Sequence, residues 1–170
     1  MASSSFRTLG LLNGCLQILL FTFVVCIPAY GTYVGGMWPT TDNSTYAFAY
    51  VDEDEAVLNG ANRYRLRFDA DRIPPATAFW SVTAYEVGTF DLYPNSHEKY
   101  VVGSNHPSTR FGEDGSIEIL LAHEQPETLA QNVNWIPVPK GEFLLAIRFY
   151  APTPEVLSFE YETPALERWE

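Results

Sequence analysis

The feature that most limits how this chain can fold is a side-chain alternation of period two. It begins near Thr45 and runs, interrupted only at turn residues, to Ala151. Successive side chains of a strand point to opposite faces, so such a pattern marks half-buried β-structure. TYAFAYV (Thr45 to Val51) sets Tyr46, Phe48 and Tyr50 on one face. RYRLRF (Arg63 to Phe68) sets Tyr64, Leu66 and Phe68 inward and Arg63, Arg65 and Arg67 outward, where such a row pairs with acidic neighbours. The runs AFWSVTAYEV, TFDLY, KYVV, SIEILLA and EFLLAIRFYA follow, rich in aromatic or β-branched residues and bounded by Gly, Pro or Asn. Between the first two strands, Asn59-Gly60 predicts a tight hairpin that pairs them antiparallel. Only ETLAQNV, after Pro126, suits a helical turn or two. The fold class is therefore all-β, an antiparallel β-sandwich or jelly roll.

The chain's length and its 46% hydrophobic content suit one domain with a proper core. Its net charge of −11, from 21 acidic and 10 basic residues, repels phosphate backbones and argues against nucleic acid as a partner. The acidic run Asp52 to Glu55 reads as a solvated turn. Both cysteines, Cys15 and Cys26, lie in the N-terminal apolar stretch, which leaves the domain without disulfides or thiolate metal sites.

That stretch, Leu9 to Ala29, holds about 21 uncharged residues and as a helix would rise roughly 31 Å, enough to span a bilayer. An uncleaved single-pass anchor is the preferred reading. The alternative is a signal peptide, with Arg7 before the apolar centre and Ala29-Tyr30-Gly31 as cleavage site. Either sends the domain out of the cytoplasm, because the positive charge lies on the N-terminal side. Residues 1–31 thus form the signal or transmembrane segment, 32–45 a connector and 46–170 the sandwich. Leu12 to Cys15 resembles a lipobox but starts the apolar run instead of following it, so lipidation is discounted. Asn43-Ser44-Thr45 is a glycosylation sequon, meaningful only in a eukaryotic host.

NWIPVPKGEF (Asn134 to Phe143) carries a Trp, two prolines and a glycine but no nucleophile or acid pair. Pro137 and Pro139 cannot donate to a central ladder, so this is an edge or an extended connection. Trp135 is expected to cover the open end of the core.

In order, NRYRLRF, PPATAFWSVTAYE, FGEDGSIEILLAHEQP, NWIPVPKGEFLLAIRFYAP and TPALER resemble the domain of unknown function 1214 family over roughly Tyr46 to Arg168. The resemblance implies a jelly-roll-like sandwich in a short form without the sibling 1254 domain, and it carries no settled activity. Where the family usually has an arginine, His97-Glu98-Lys99-Tyr100 offers Lys99, which implies a weakened anion-binding role.

His123 and Glu124 are the best chemical candidates, since an imidazole at a strand end titrates near neutral pH and is reachable. The bland reading, a histidine bonded to a loop backbone, competes with it. His97 and His106 could complete a metal set with His123 only through folding, because H-x-H and HExxH spacings are absent. Ser81 lacks the Gly-x-Ser-x-Gly elbow. Arg148 among apolar neighbours needs a partner, either Trp80 or a buried carboxylate; a structural ion pair is the preferred reading and recognition of an anionic ligand the alternative. The candidate ligand-binding residues are Trp80, Trp135, Arg148 and Lys99, with His123, Arg148 and Trp135 expected to converge on one pocket. No cofactor is implied. A membrane-anchored domain that binds a small molecule, glycan, protein or envelope component is favoured over a hydrolase or metal-dependent enzyme centred on His123 and Glu124. Oligomerisation through sheets or loops is compatible with either.

Overall fold

The computed structural model describes residues 43–126 and 133–169. The apolar run Leu9 to Ala29 lies outside these residues, as does Glu127 to Asn132 of the expected helical turn; Val133 begins a strand. No helix among the described residues is long and apolar enough to cross a membrane.

Among the described residues, eight strands and one short helix follow in order: β1 (Ser44–Ala49), β2 (Arg63–Phe68), β3 (Ala76–Glu86), β4 (Val101–Gly103), β5 (Ile117–Ala122), β6 (Val133–Pro137), β7 (Phe143–Pro152), α1 (Pro154–Leu157) and β8 (Glu167–Trp169). They form two four-stranded sheets, β1-β7-β3-β4 and β6-β5-β2-β8. The core lies between them, where Val82, Leu145, Ile147 and Phe149 of the first sheet meet Leu66, Phe68, Ile119 and Leu121 of the second. The all-β sandwich expected from the alternation is present. It is not wholly antiparallel, because β5 and β6 pair in parallel, Leu120 opposite Trp135. The segment TFDLY forms no strand, and KYVV contributes only Val101 and Val102 to β4.

The hairpin expected at Asn59-Gly60 does not form: β1 pairs with β7, and β2 with β5 and β8. The reversal occurs earlier, at the acidic run, where Val51 and Val57 make an antiparallel bridge. Asp52 directs it. Its side chain is buried, and Oδ1 accepts the amides of Asp54 (3.1 Å) and Ala56 (2.9 Å). Arg168 Nε donates to Oδ2 at 2.8 Å and so ties the closing TPALER segment to this turn. The solvated-turn reading therefore fails for Asp52, although Glu53, Asp54 and Glu55 are exposed. Asn59-Gly60 instead carries the chain to the other sheet. Gly60 N donates to Gly141 O at 2.9 Å, and a Cβ on Gly60 would lie 1.8 Å from Pro139 O, so the close backbone approach demands glycine.

Strand faces follow the alternation, with one refinement. Tyr64, Leu66 and Phe68 are buried, and the arginine row faces outward to acids: Arg65 to Glu167, Arg67 to Asp69 (3.0 Å), Asp114 (3.2 Å) and Glu118 (3.6 Å). On β1, however, Ala47 and Ala49 face the core, and Tyr46 and Phe48 stack on the outer face at 5.9 Å.

Candidate functional site

NWIPVPKGEF positions the site. Its first half is the edge strand β6, as the prolines require. Buried Asn134 supplies polar bonds at this edge: Oδ1 accepts Arg110 N (2.8 Å), and Nδ2 donates to Arg110 O (2.9 Å) and Glu118 O (3.0 Å). Ile136 and Val138 enter the core. Trp135, alternating with them, lies on the other face of the second sheet in a small cluster with Leu120, Ala122 and Val133, and donates Nε1–H to Ala122 O at 3.0 Å. It does not cover an open end of the core.

The β3–β4 connection reaches this face. Asn95 folds it into a tight loop: Oδ1 accepts the amides of His97 (3.2 Å) and Lys99 (3.1 Å), while Nδ2 donates to Tyr93 O (3.2 Å) and Lys99 O (2.9 Å). The loop sets the His97 ring edge-on to Trp135 at 4.9 Å and Lys99 Nζ over the same indole at 5.3 Å. Trp135 is left only 4% exposed, a packing floor and not a contact surface for ligand.

Beside this loop, at the end of β5, is His123. Its Nδ1 lies 2.8 Å from Val138 O, and since a carbonyl only accepts, Nδ1 carries the proton of the neutral ring. The lone pair then resides on Nε2, the arrangement a general base or metal ligand uses. Tyr93 packs on the His123 ring at 5.6 Å. Tyr93, Asn95, His97, His123, Glu124 and Pro137 are among the residues lining a cleft of about 410 Å³. Folding thus brings His123, Glu124 and His97 together and leaves Lys99 and Trp135 beside them. His106 is elsewhere, in an exposed turn after β4 with Nδ1 2.8 Å from Ser108 Oγ. Among the described residues no group of three or more His, Cys, Asp or Glu side chains is placed to hold a metal ion.

Arg148 and Trp80 do not join this site. Trp80 is 2% exposed in the core, tilted against Phe68 at 6.0 Å. Arg148 pairs in register with Ser81, next to Trp80, so the two side chains leave opposite faces of the sheet and cannot meet. Nor has Arg148 a carboxylate partner among the described residues; it bonds the Tyr85 hydroxyl and lies between Tyr85 and Tyr46. Burial opposes its charge, but the Tyr85 and Tyr46 phenols outweigh that and hold the guanidinium above arginine's ordinary value. The expected convergence of His123, Arg148 and Trp135 is therefore absent. Two residues that the sequence reading passed over matter here. Asn95 was signalled by the Pro94-Asn95-Ser96 turn cluster, whereas Tyr93 had no signal of its own.

Fold and site together define an all-β sandwich domain with a histidine-lined polar cleft on the outer side of one sheet. The chain belongs to the family described as "Protein of unknown function (DUF1214)", whose model matches residues 43–154. The chain is similar to the VPA0106 protein from Vibrio parahaemolyticus (TM-score 0.68, 26% identity), matched over 84% of this chain and 34% of that one. It is also similar in fold to an uncharacterized protein from Burkholderia cenocepacia (TM-score 0.55, 15% identity), over 79% of this chain and 32% of that one. The chain therefore spans about a third of each solved protein's length. No curated protein matches it in sequence.

Proposed function

We propose that this is a binding domain, held outside the cytoplasm by the apolar segment Leu9 to Ala29, that takes a small polar ligand, such as a glycan unit, in the cleft beside His123. The observation that carries the reading is the Asn95-tied loop, which presents His97 and Tyr93 across from His123 and Glu124 around about 410 Å³ of space. Ligand sites are commonly concave, with a few polar groups fixed by neighbouring structure. An aromatic ring, two imidazoles and a carboxylate suit the mixed donors and acceptors of a sugar. A cleaved signal in place of an anchor would leave this reading unchanged. The jelly-roll form of the sandwich implied by the family resemblance belongs with it.

The test is an NMR titration of His97 and His123 ring resonances with a panel of mono- and disaccharides, repeated in Asn95→Ala. A saturable shift in the natural chain that weakens in the variant supports the reading, and a panel that moves neither ring removes it.

The hydrolase or metal-dependent alternative rests on a specific observation, the Nδ1–H tautomer that leaves Nε2 of His123 as a lone pair. Stoichiometric Zn, Fe or Mn in the purified protein, lost in His123→Ala, would replace the binding reading with this one.

A further inference from the structure

The opposite side of the sandwich carries a cation that the described residues do not neutralise. Arg148, midway along β7, faces Tyr46 of β1 in register, and its guanidinium carbon lies 5.3 Å from the Tyr46 ring centre and 5.1 Å from that of Tyr85 on β3. Arg65, Arg67 and Arg168 each reach a carboxylate. Arg148 is the most enclosed of the four and reaches none among the described residues.

A guanidinium cannot shed its proton, and two phenols with their rings hold this one where no carboxylate does among the described residues, so the cluster keeps a positive charge that an incoming anion can meet. The Tyr85 oxygen accepts from Arg148, which leaves the phenol's own O–H to donate. The cluster therefore offers donors and positive charge. Apolar rings flank it: Phe48 stacks on Tyr46 at 5.9 Å and Phe79 on Tyr150 at 4.0 Å, with Tyr50 46% exposed nearby. A guanidinium fork matches a planar carboxylate, and the rings suit a flat apolar body. The protein's net charge of −11 opposes a dianion more than a monoanion, which favours carboxylate over phosphate.

We propose that the Tyr46–Arg148–Tyr85 cluster is a carboxylate-binding site, for a carboxylate carried on an aromatic or apolar body. This site lies on a different sheet from the His123 cleft and stands or falls separately from it. The carboxylate belongs either to a small molecule or to an acidic side chain of another polypeptide.

The test follows the side-chain Nε–H resonances of Arg148, Arg65 and Arg67 in the full chain. The probes are sodium benzoate, benzamide, inorganic phosphate and an end-blocked peptide with one aspartate between two phenylalanines. Benzoate or the peptide should shift Arg148 saturably and ahead of Arg65 and Arg67, with benzamide and phosphate at least about tenfold weaker. Binding should fall about tenfold or more in Arg148→Met and a few-fold in Tyr85→Phe, which keeps the ring and therefore the packing. Tighter peptide binding assigns the site to a polypeptide partner, and tighter benzoate binding assigns it to a small molecule. Equal response to benzamide and benzoate, phosphate as tight as benzoate, or an Arg148 shift no larger than those of Arg65 and Arg67, overturns the proposal.

Discussion

Replacing Asp52 with alanine should destabilise the domain more than any exposed acidic substitution. The Asp52 side chain is 0% exposed and accepts two backbone amides and Arg168 Nε. Hydrogen bonds to a charged acceptor contribute roughly 1.5–3 kcal/mol each, and orphaned buried donors cost about as much. The Asp54 and Ala56 amides are only part-buried, and water recovers some of that loss, so the net expectation is about 3 kcal/mol. Against a total stability of about 5–15 kcal/mol, that is a large share, and it corresponds to a fall in Tm of about 6–12 °C for a chain of this size. Urea unfolding followed by tryptophan fluorescence measures it. Asp52→Asn, which keeps an acceptor of the same shape, should lose clearly less. Arg168→Met should also lose less, because both amide bonds survive. A loss below about 0.5 kcal/mol in Asp52→Ala, the usual range for surface changes, would refute the view that this carboxylate organises the β1 reversal.

Gly60→Ala should cost about 2 kcal/mol or more, because its Cβ would meet Pro139 O at 1.8 Å, whereas Gly141→Ala, with nothing within 4 Å, should change stability by less than about 1 kcal/mol. Similar losses in both, by thermal melts, would contradict the close approach. Nitrogen NMR should find neutral His123 protonated at Nδ1, and a majority of Nε2–H tautomer would dismiss its bond to Val138 O. The Asp114 carboxyl, held by the Ser116 hydroxyl and amide, should titrate below its ordinary value of 3.8 and move back up in Ser116→Ala. Because its folded value is depressed, its contribution is present above pH 3.8 and fades as pH falls through the lower folded value. An unmoved midpoint in the variant would exclude the serine hydroxyl as cause.

The strands were legible because alternation is local: RYRLRF alone fixes which face of β2 is buried. TYAFAYV was less informative, since its alanines and not its aromatics face the core, and periodicity separates two faces without naming the inner one. Pairing was not legible. Asn59-Gly60 carries a turn signature, but the reversal belongs to the Asp52 turn and the glycine to a contact with Pro139 made across the fold. The same holds for the sites. His123 and Glu124 stood out by residue type, yet their neighbour His97 arrives through the long β3–β4 connection, and Arg148 meets Tyr46 and Tyr85 only through the register of three strands. Sequence distance conceals such meetings, because long-range pairing is set by the whole core and not by any one segment.

Backbone NOEs between strands test the arrangement that places both sites. Contacts linking Phe48 to Ala146 and Leu66 to Ile119, with none between Ser44–Ala49 and Arg63–Phe68, are the predicted result. A ladder of contacts joining those last two strands across Asn59-Gly60 would contradict it.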